Sequence, residues 1–420
     1  MSKEFLFASW EGGGNIPPML TVVRRLLAKG HKVRVLGDDA SAEEIRRAGA
    51  EFRPWRNAPN RPDRRPASDP QKDWRIKDAG ELLPVLLDTM VTGPALGHAM
   101  DVIDEVMARR VDVLVASDLQ LGAVAGAEAA GVPAAILACN LPYLPRAGVP
   151  PFGPGLLPAA DEEEERLHGA IGEAFGGVFQ AGLVPLNAAR ARLGLDPLDT
   201  LADQFHRADL HLVASAEAFD FPVRQQPANL RYVGPLLDAP AWVETWEHEW
   251  DASRPLVLVA FSTTYQKQLP ILKNVVAALA PLPVNALVTA GPACAGLALK
   301  GRPNVRVVSS GSHDAILARA SLCITHCGHG TVMRALSAGV PILGMPMGRD
   351  QNDNAARIAW HGAGIRIGPT SPAADISDAL RRLIDEPEYR ENARALGERI
   401  RAESQPHRAA EMIEALARAS

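Results

Sequence analysis

Thr325-His326-Cys327-Gly328-His329-Gly330-Thr331 follows an apolar run at 322–325 and opens a helix-period run at 331–338, which Gly339 ends. A strand that passes through a glycine-rich turn into a helix forms a corner where backbone N–H groups converge. Gly328 and Gly330 let those groups approach a ligand, and the helix start favours negative charge there. Thr331 and His326 add side-chain donors, so phosphate is the group this corner fits. His326, Cys327 and His329 also offer metal-ligating atoms, but no carboxylate or second cluster completes such a set. A glycine-rich connection with no ligand has the same pattern.

Outward from this corner, short apolar runs alternate with helix-period runs. In the first half the runs at 4–9, 31–36, 111–116 and 132–138 read as strands. Met19, Val22, Val23, Leu26 and Leu27 form one helical stripe, opened by Pro17-Pro18 and closed by Gly30. Ser41-x-x-Glu44 is a capping-box start, and 122–130 is a helix of small residues. In the second half 256–261, 284–289, 304–308, 322–325 and 340–344 read as strands, with a helix over 269–279. This is the rhythm of a parallel, doubly wound sheet, met twice. We expect an N-terminal domain over 1–216, a linker at 217–250 bearing Trp242, Trp246 and Trp250, a C-terminal domain over 251–395, and a helix at 396–420 returning to the N-terminal domain. Ligands of such domains sit outside the carboxyl ends of the strands, here in the cleft between the halves.

Two stretches break the rhythm. Residues 54–75, with Arg56, Arg61, Arg64 and Arg65 and few apolar residues, read as a mobile surface loop with solvated charges. Residues 141–158 carry six prolines and precede the acidic run 161–165; they read equally as a pocket wall or a spacer.

Composition narrows the function classes. The 420 residues are 47% hydrophobic and 22% charged, with 44 Lys plus Arg against 49 Asp plus Glu and a net charge of −5. That excludes disordered and fibrous classes and lacks the basic footprint of a nucleic-acid binder. Four cysteines (Cys139, Cys294, Cys323, Cys327) are too few for a disulfide scaffold. Neither a signal peptide nor a long apolar span is read, so a cytoplasmic protein without integral membrane association is expected. Aromatic residues are only 5%, so a pocket must be built from aliphatic chains and backbone.

Two further loops follow strands. Ser262-Thr263-Thr264 offers hydroxyls and backbone donors, although such residues also cap helices. Gly348-Arg349-Asp350-Gln351-Asn352-Asp353-Asn354 places Asp350 and Gln351 to hold sugar hydroxyls, or Asp350, Asn352 or Asp353 to cap a helix.

The whole stretch 325–365 (THCGHGTVMRALSAGVPILGMPMGRDQNDNAARIAWHGAGI) closely resembles the signature of the UDP-glycosyltransferase superfamily, and within it the bacterial natural-product and antibiotic glycosyltransferases with the GT-B fold. The Tyr232-Val233-Gly234-Pro235 turn and the loop at 11–20 fit too. The resemblance implies two facing Rossmann-like domains with an interdomain cleft. The C-terminal half would bind a nucleotide diphosphate-sugar (UDP or dTDP) as co-substrate, and the N-terminal half a small-molecule acceptor. His326, Gly328, Gly330 and Thr331 match diphosphate-binding positions, with Ser262 and Thr263 beside them, and Asp350 and Gln351 match the sugar-holding pair. Family members transfer a hexosyl-type group with inversion, in one displacement, without a metal or other cofactor. A monomer or homodimer is expected.

The chain departs from the family at three places. The usual general-base His falls at Asn15, in Gly12-Gly13-Gly14-Asn15-Ile16-Pro17-Pro18. A neutral amide cannot take a proton near pH 7. Asp118, which ends the run Val-Asp-Val-Leu-Val-Ala-Ser-Asp, matches the family's partner carboxylate and is the candidate base, with Asn15 positioning the acceptor; the same residue type also caps helices. The base-stacking aromatic falls at Ser310, and the ribose-binding Glu at Arg334, which pairs with phosphate but accepts no hydrogen bond. The expected function is glycosyl transfer to a small acceptor. The alternatives are a repurposed relative (epimerase, lyase or hydrolase on a sugar conjugate) and a non-catalytic sugar- or nucleotide-binding homologue.

Overall fold

Phe5-Leu6-Phe7-Ala8 is apolar at every position, which only a strand covered on both faces can use. In the computed structural model, which describes residues 2–76, 79–238, 251, 253–291, 299–405 and 407–419, this run lies in the buried strand β1 (Glu4–Ala8). Phe5 and Phe7 pack with Val113, Val115, Ala135 and Leu137 on one face, whereas Leu6 and Ala8 pack with Leu114, Ala116 and Ile136 on the other. The other N-terminal strands are β2 (Lys32–Gly37), β3 (Glu51–Pro54), β4 (Val113–Ser117), β5 (Ala134–Ala138), β6 (Leu210–Val213) and β7 (Leu230–Tyr232). They form a seven-stranded sheet ordered β3-β2-β1-β4-β5-β6-β7, every pairing parallel.

The second half repeats the plan. Strands β8 (Leu256–Ala260), β9 (Asn285–Thr289), β10 (Val305–Val308), β11 (Leu322–Thr325), β12 (Ile342–Gly344) and β13 (Gly364–Arg366) make a parallel six-stranded sheet ordered β10-β9-β8-β11-β12-β13. In each domain the strand order reverses beside its first strand, between β1 and β4 and between β8 and β11. Loops leaving those strands splay apart there and open a crevice. The fold is therefore the pair of doubly wound domains expected from the sequence.

Helices Ala95–Ala108 and Leu121–Ala130 show why small residues recur at 122–130. A Cβ on Gly122 would lie 2.2 Å from the Ala95 carbonyl oxygen, and one on Gly126 would lie 2.7 Å from that of Ala99. The two helices approach backbone to backbone, on one face of the N-terminal sheet.

The segment expected as a linker is partly sheet: β7 falls inside 217–250 and closes the N-terminal sheet at its edge. Trp242, Trp246, Trp250 and Cys294 lie outside the described residues. The acidic run opens a helix. Asp161 caps the 20-residue helix Glu162–Ala181, its carboxylate accepting from the Glu163 and Glu164 amides, and the four glutamates that follow complement the helix dipole.

Residues 54–75 do not form a wholly solvated loop. Trp55 is buried and its indole donates to the Ser9 carbonyl at 3.0 Å. Buried Arg61 donates to the Glu11 carbonyl at 3.0 Å, and Arg64 bridges Glu11 and Glu44 at 2.8 and 2.9 Å; Arg56 and Arg65 are exposed. The far end of the segment crosses to the C-terminal domain. There the Asp73 carboxylate takes Arg349 Nε at 2.6 Å and Gln266 Nε2 at 3.1 Å, and Trp74 meets Tyr265 edge-on.

A second tie centres on Asp220, between β6 and β7. Its buried carboxylate pairs with Arg146 at 2.7 Å from the proline-rich 141–158 loop, and with Arg357 at 2.7 Å from helix Gln351–Trp360 of the other domain. Tyr232 donates to it at 2.5 Å, and the Arg357 guanidinium lies 4.2 Å above the Phe221 ring. Burial alone would raise Asp220, but Arg357 and Arg146 outweigh it and hold the carboxyl below its ordinary range. The proline-rich loop continues onto the same helix, with the Gly153 amide donating to Asp353 at 2.8 Å. Finally, helix Pro387–Glu403 packs on the C-terminal domain, and helix Arg408–Ala419 crosses back. Its Ala409, Ala410, Ile413 and Ala417 join the Phe5–Phe7 core, and Lys3 donates to the Ala417 carbonyl at 2.6 Å.

Two stability effects follow from this packing. Gly122→Val drives a branched side chain into the Ala95 backbone, and is expected to lower the urea midpoint by the equivalent of about 1–3 kcal/mol or more. Asp220→Ala leaves two buried guanidiniums uncompensated, a loss of roughly 3–5 kcal/mol at pH 7. Because the folded-state pKa of Asp220 is depressed, its contribution is present above the usual carboxylate range and fades as pH falls through it. The gap between wild type and Asp220→Ala in urea melts should therefore close under acid.

Candidate active site

The N-terminal crevice is bounded by the loop after β1 and the residues after β4. Asn15, at the position of the family's histidine, turns its amide back into its own loop. Nδ2 donates to the Trp10 carbonyl at 2.6 Å, and Oδ1 accepts from the Gly12 amide at 3.1 Å. What Asn15 positions is the loop itself. Gly12 lies beneath the Trp10 ring, where a Cβ would come within 2.2 Å of the indole.

Asp118 is placed differently. It does not cap the following helix, whose N-cap is Gln120. Its Oδ1 accepts from the Ser117 hydroxyl at 3.2 Å, and Tyr143 donates to its backbone carbonyl at 2.8 Å. The other carboxylate oxygen, Oδ2, is buried and without a partner. Burial pushes the Asp118 carboxyl up to about 7, against the pull of the Ser117 hydroxyl and local amides, and the negative charge of Asp350 raises it further. Ser9 Oγ, Trp10 Nε1, Gln120 Oε1 and Asn140 Oδ1 are likewise buried and unpartnered. Those residues leave the ends of β1, β4 and β5. Natural structures rarely leave so many polar atoms unsatisfied in one place unless a ligand or water meets them.

Across the cleft, helix His329–Ser337 begins at the N-cap Gly328. Cys327 before it has φ +68°, a left-handed conformation that turns the strand into the helix. A Cβ on Gly328 would lie 2.6 Å from His326 Nε2, so a side chain there would displace the imidazole. That ring stacks beside Phe261 at 6.0 Å, and burial drives its pKa down to about 3, so it is neutral at pH 7. His329 is also lowered by burial, its Nδ1 lying 3.2 Å from Asn354 Oδ1. Cys327 Sγ packs against Gly344. The side chains of His326, Cys327 and His329 therefore take separate partners.

A cavity of about 790 Å³ runs between the domains. Gly330, Thr331, Thr263, Ser310 and Arg334 line it, together with His329, Thr264, His313 and Asp314; Gly13, Gly14, Pro17 and Pro18 form the opposite wall. Ser262 lies just behind, its hydroxyl 3.0 Å from that of Thr264. The two domains touch here: a Cβ on Gly13, whose φ is +77°, would meet Thr263 Oγ1 at 2.7 Å. His326, Gly328, Asp118, Asn15, Asp350 and Gln351 are not among the lining residues. Asp350 stands at the N-cap of helix Gln351–Trp360 but accepts from Asn354 Nδ2 at 2.8 Å, and burial raises its pKa. Gln351 is engaged by the Met347 amide and by Gln266 at 2.8 and 3.1 Å.

Sequence reading missed Asp73, Gln266, His313, Asp314 and the role of Arg349. Only Ser312-His313-Asp314 carried a signal, a capped helix start after β10, where Ser312 Oγ accepts from the Ala315 amide. His313 Nε2 lies 3.0 Å from Thr289 Oγ1, and burial lowers its pKa to about 4.

Comparison with known proteins agrees with this arrangement. A family model for the C-terminal domain of erythromycin biosynthesis protein CIII-like proteins matches residues 276–416. The 4'-demethylrebeccamycin synthase of Lentzea aerocolonigenes is 28% identical over 99% of this chain and 100% of its own length. The crystal structure of the glycotransferase of kitacinnamycin matches with TM-score 0.76 at 23% identity, covering 99% of both chains. Spinosyn rhamnosyltransferase SpnG complexed with thymidine diphosphate matches with TM-score 0.69 at 19% identity, over 98% of this chain and 100% of that one. In its relative along the whole length, its two-domain GT-B fold and its matched C-terminal domain, the chain is similar to the glycosyltransferases that its 325–365 stretch resembles.

Proposed function

We propose that this enzyme transfers a sugar from a nucleoside diphosphate donor to a hydroxyl-bearing small-molecule acceptor of natural-product type, with inversion and in a single displacement. Asp118 takes the acceptor's proton. The carrying observation is the Asp118 carboxylate: buried, with Oδ2 unpartnered, held near pKa 7, and within electrostatic reach of Asp350. A carboxylate of pKa near 7 accepts a proton better than an ordinary one and is still substantially ionised at neutral pH. No metal is assigned in this reading. The leaving diphosphate is received by the first amides of helix His329–Ser337 and the hydroxyls of Thr331 and Thr263, fixed donors aimed at developing negative charge. Asp350 and Gln351 hold the sugar. In support, spinosyn rhamnosyltransferase SpnG is complexed with thymidine diphosphate, which makes dTDP-sugars, beside UDP-sugars, the donors to try first.

Two measurements test the reading. Gly330 lines the cavity with open space where a Cβ would go, so Gly330→Val fills the phosphate position without a clash in the fold. UDP or dTDP should raise the melting temperature of wild type, whereas Gly330→Val should melt normally and show no shift. Stabilisation of neither protein by any nucleoside diphosphate would favour the binding-only or repurposed readings.

The second concerns pH. Below about 7 Asp118 carries its proton and cannot accept another, so kcat/KM should fall on the acid side of pH 7. Asp118→Asn should lower transfer by about 10²–10⁴-fold and remove that acid limb. Unchanged transfer by Asp118→Asn would assign the base elsewhere.

A further inference from the structure

We propose that Asp314, held by Arg334, is the carboxylate that receives the ribose hydroxyls of the donor; this rests on the nucleoside diphosphate reading above. The cavity follows the flank of helix His329–Ser337: His329, Gly330, Thr331, Met333 and Arg334 all line it. Arg334 is four residues beyond Gly330, on the same helical face and about 6 Å further along the axis. A nucleoside diphosphate with its phosphates at the helix start therefore brings its sugar ring to the level of Arg334.

A guanidinium has only donors, so it cannot receive the protons of a diol. Here it orients a group that can. Arg334 Nη1 donates to both Asp314 oxygens, at 2.6 and 2.5 Å, and Nη2 donates to the Asp238 carbonyl at 3.0 Å. Asp238 in turn is clamped by Arg24 and Arg25 at 3.2 and 2.9 Å. The guanidinium is thus fixed from behind and aims the carboxylate. Asp314 itself lines the cavity, with its side chain 52% exposed. An ionised carboxylate has about four acceptor positions, and Arg334 takes two of them.

The remaining described acids of the lining sit on the N-terminal wall and are engaged there, Glu11 and Glu44 by Arg64 and Glu43 by Arg47. Asp314 is the carboxylate of the C-terminal wall among the described residues. The site should therefore distinguish donors by their ribose hydroxyls.

Calorimetric titration of UDP with its 2′-deoxy and 3′-deoxy forms, and of dTDP with its 3′-deoxy form, tests this. Wild type should lose roughly tenfold or more in affinity when a contacted hydroxyl is removed. Asp314→Ala should bind the parent nucleotides correspondingly more weakly and no longer distinguish them from the deoxy forms, and Asp314→Asn, which keeps one neutral acceptor oxygen, should distinguish them less than wild type does. Asp314 is half exposed, so both variants should fold. Variants that keep the wild-type discrimination, or a wild type that binds the nucleotides but ignores their hydroxyls, overturn the proposal and leave the donor reading standing. If wild type binds none of these nucleotides, the donor reading falls and the role of Asp314 falls with it.

Discussion

A single buried carboxylate sets the spacing on which the cleft depends. Asp220 is nine-tenths or more buried and faces two guanidiniums, Arg146 and Arg357, from different parts of the chain. Desolvating three charged groups is costly, and the arrangement holds only while all three are present. Tyr232 and the Phe221 ring complete the shell around it. The consequence reaches the site at both ends. Arg146 follows Tyr143 by three residues, and Tyr143 donates to the Asp118 carbonyl; Arg357 lies on the helix whose N-terminus carries Asp350 and Gln351. Candidate base and candidate sugar-holding pair are thus tied to one charge cluster, although Asp118 and Asp350 are 232 positions apart in the chain.

The central strands were legible because both faces of each sheet are covered: Phe5-Leu6-Phe7-Ala8 and Leu256-Val257-Leu258-Val259-Ala260 have no polar position to confuse the pattern. Edge strands lack that signature. In β3, Glu51 and Arg53 sit at the sheet margin and take ion-pair partners, so their polarity gave no strand signal. β7 and β13 are three residues each, too short for periodicity to show. Helix Glu162–Ala181 has no fully buried residue: of its apolar stripe Leu167, Ile171, Phe175 and Phe179, Leu167 is exposed and the others are half-buried. Its start was nonetheless written in Asp161 and the glutamates after it, which read as an acidic run.

The site divides in the same way. Loops that leave central strands could be placed at the cleft from sequence, because a doubly wound sheet sends all of them to one edge. Pairings between distant segments could not. Gln351 meets Gln266, and Arg334 meets Asp314; each depends on how two elements lie against each other. The mild net charge was equally uninformative about ligand charge. Arg47, Arg61 and Arg64 line the cavity, but each has an acidic neighbour in Glu43, Asp69, Glu11 or Glu44. The proposed anionic donor would be received by oriented backbone amides and hydroxyls, which contribute nothing to a count of charges.

The exchange of histidine for Asn15 therefore changes more than one residue's identity. An imidazole has an ordinary pKa near 6.5 and needs a partner mainly to orient it. Without it, the proposed reading gives the proton transfer to the carboxylate that would orient it, and an ordinary Asp is too weak a base. Burial corrects that: the same desolvation that raises Asp118 to about 7 also leaves Oδ2 free of protein donors that would stabilise the anion. Asn15 could not share the work even sterically close by, because both ends of its amide are engaged in bracing the loop that carries Gly13 against Thr263. In the proposed reading basicity lies at the strand end, in Asp118, and the position that matches the family's histidine keeps the shape of the cleft.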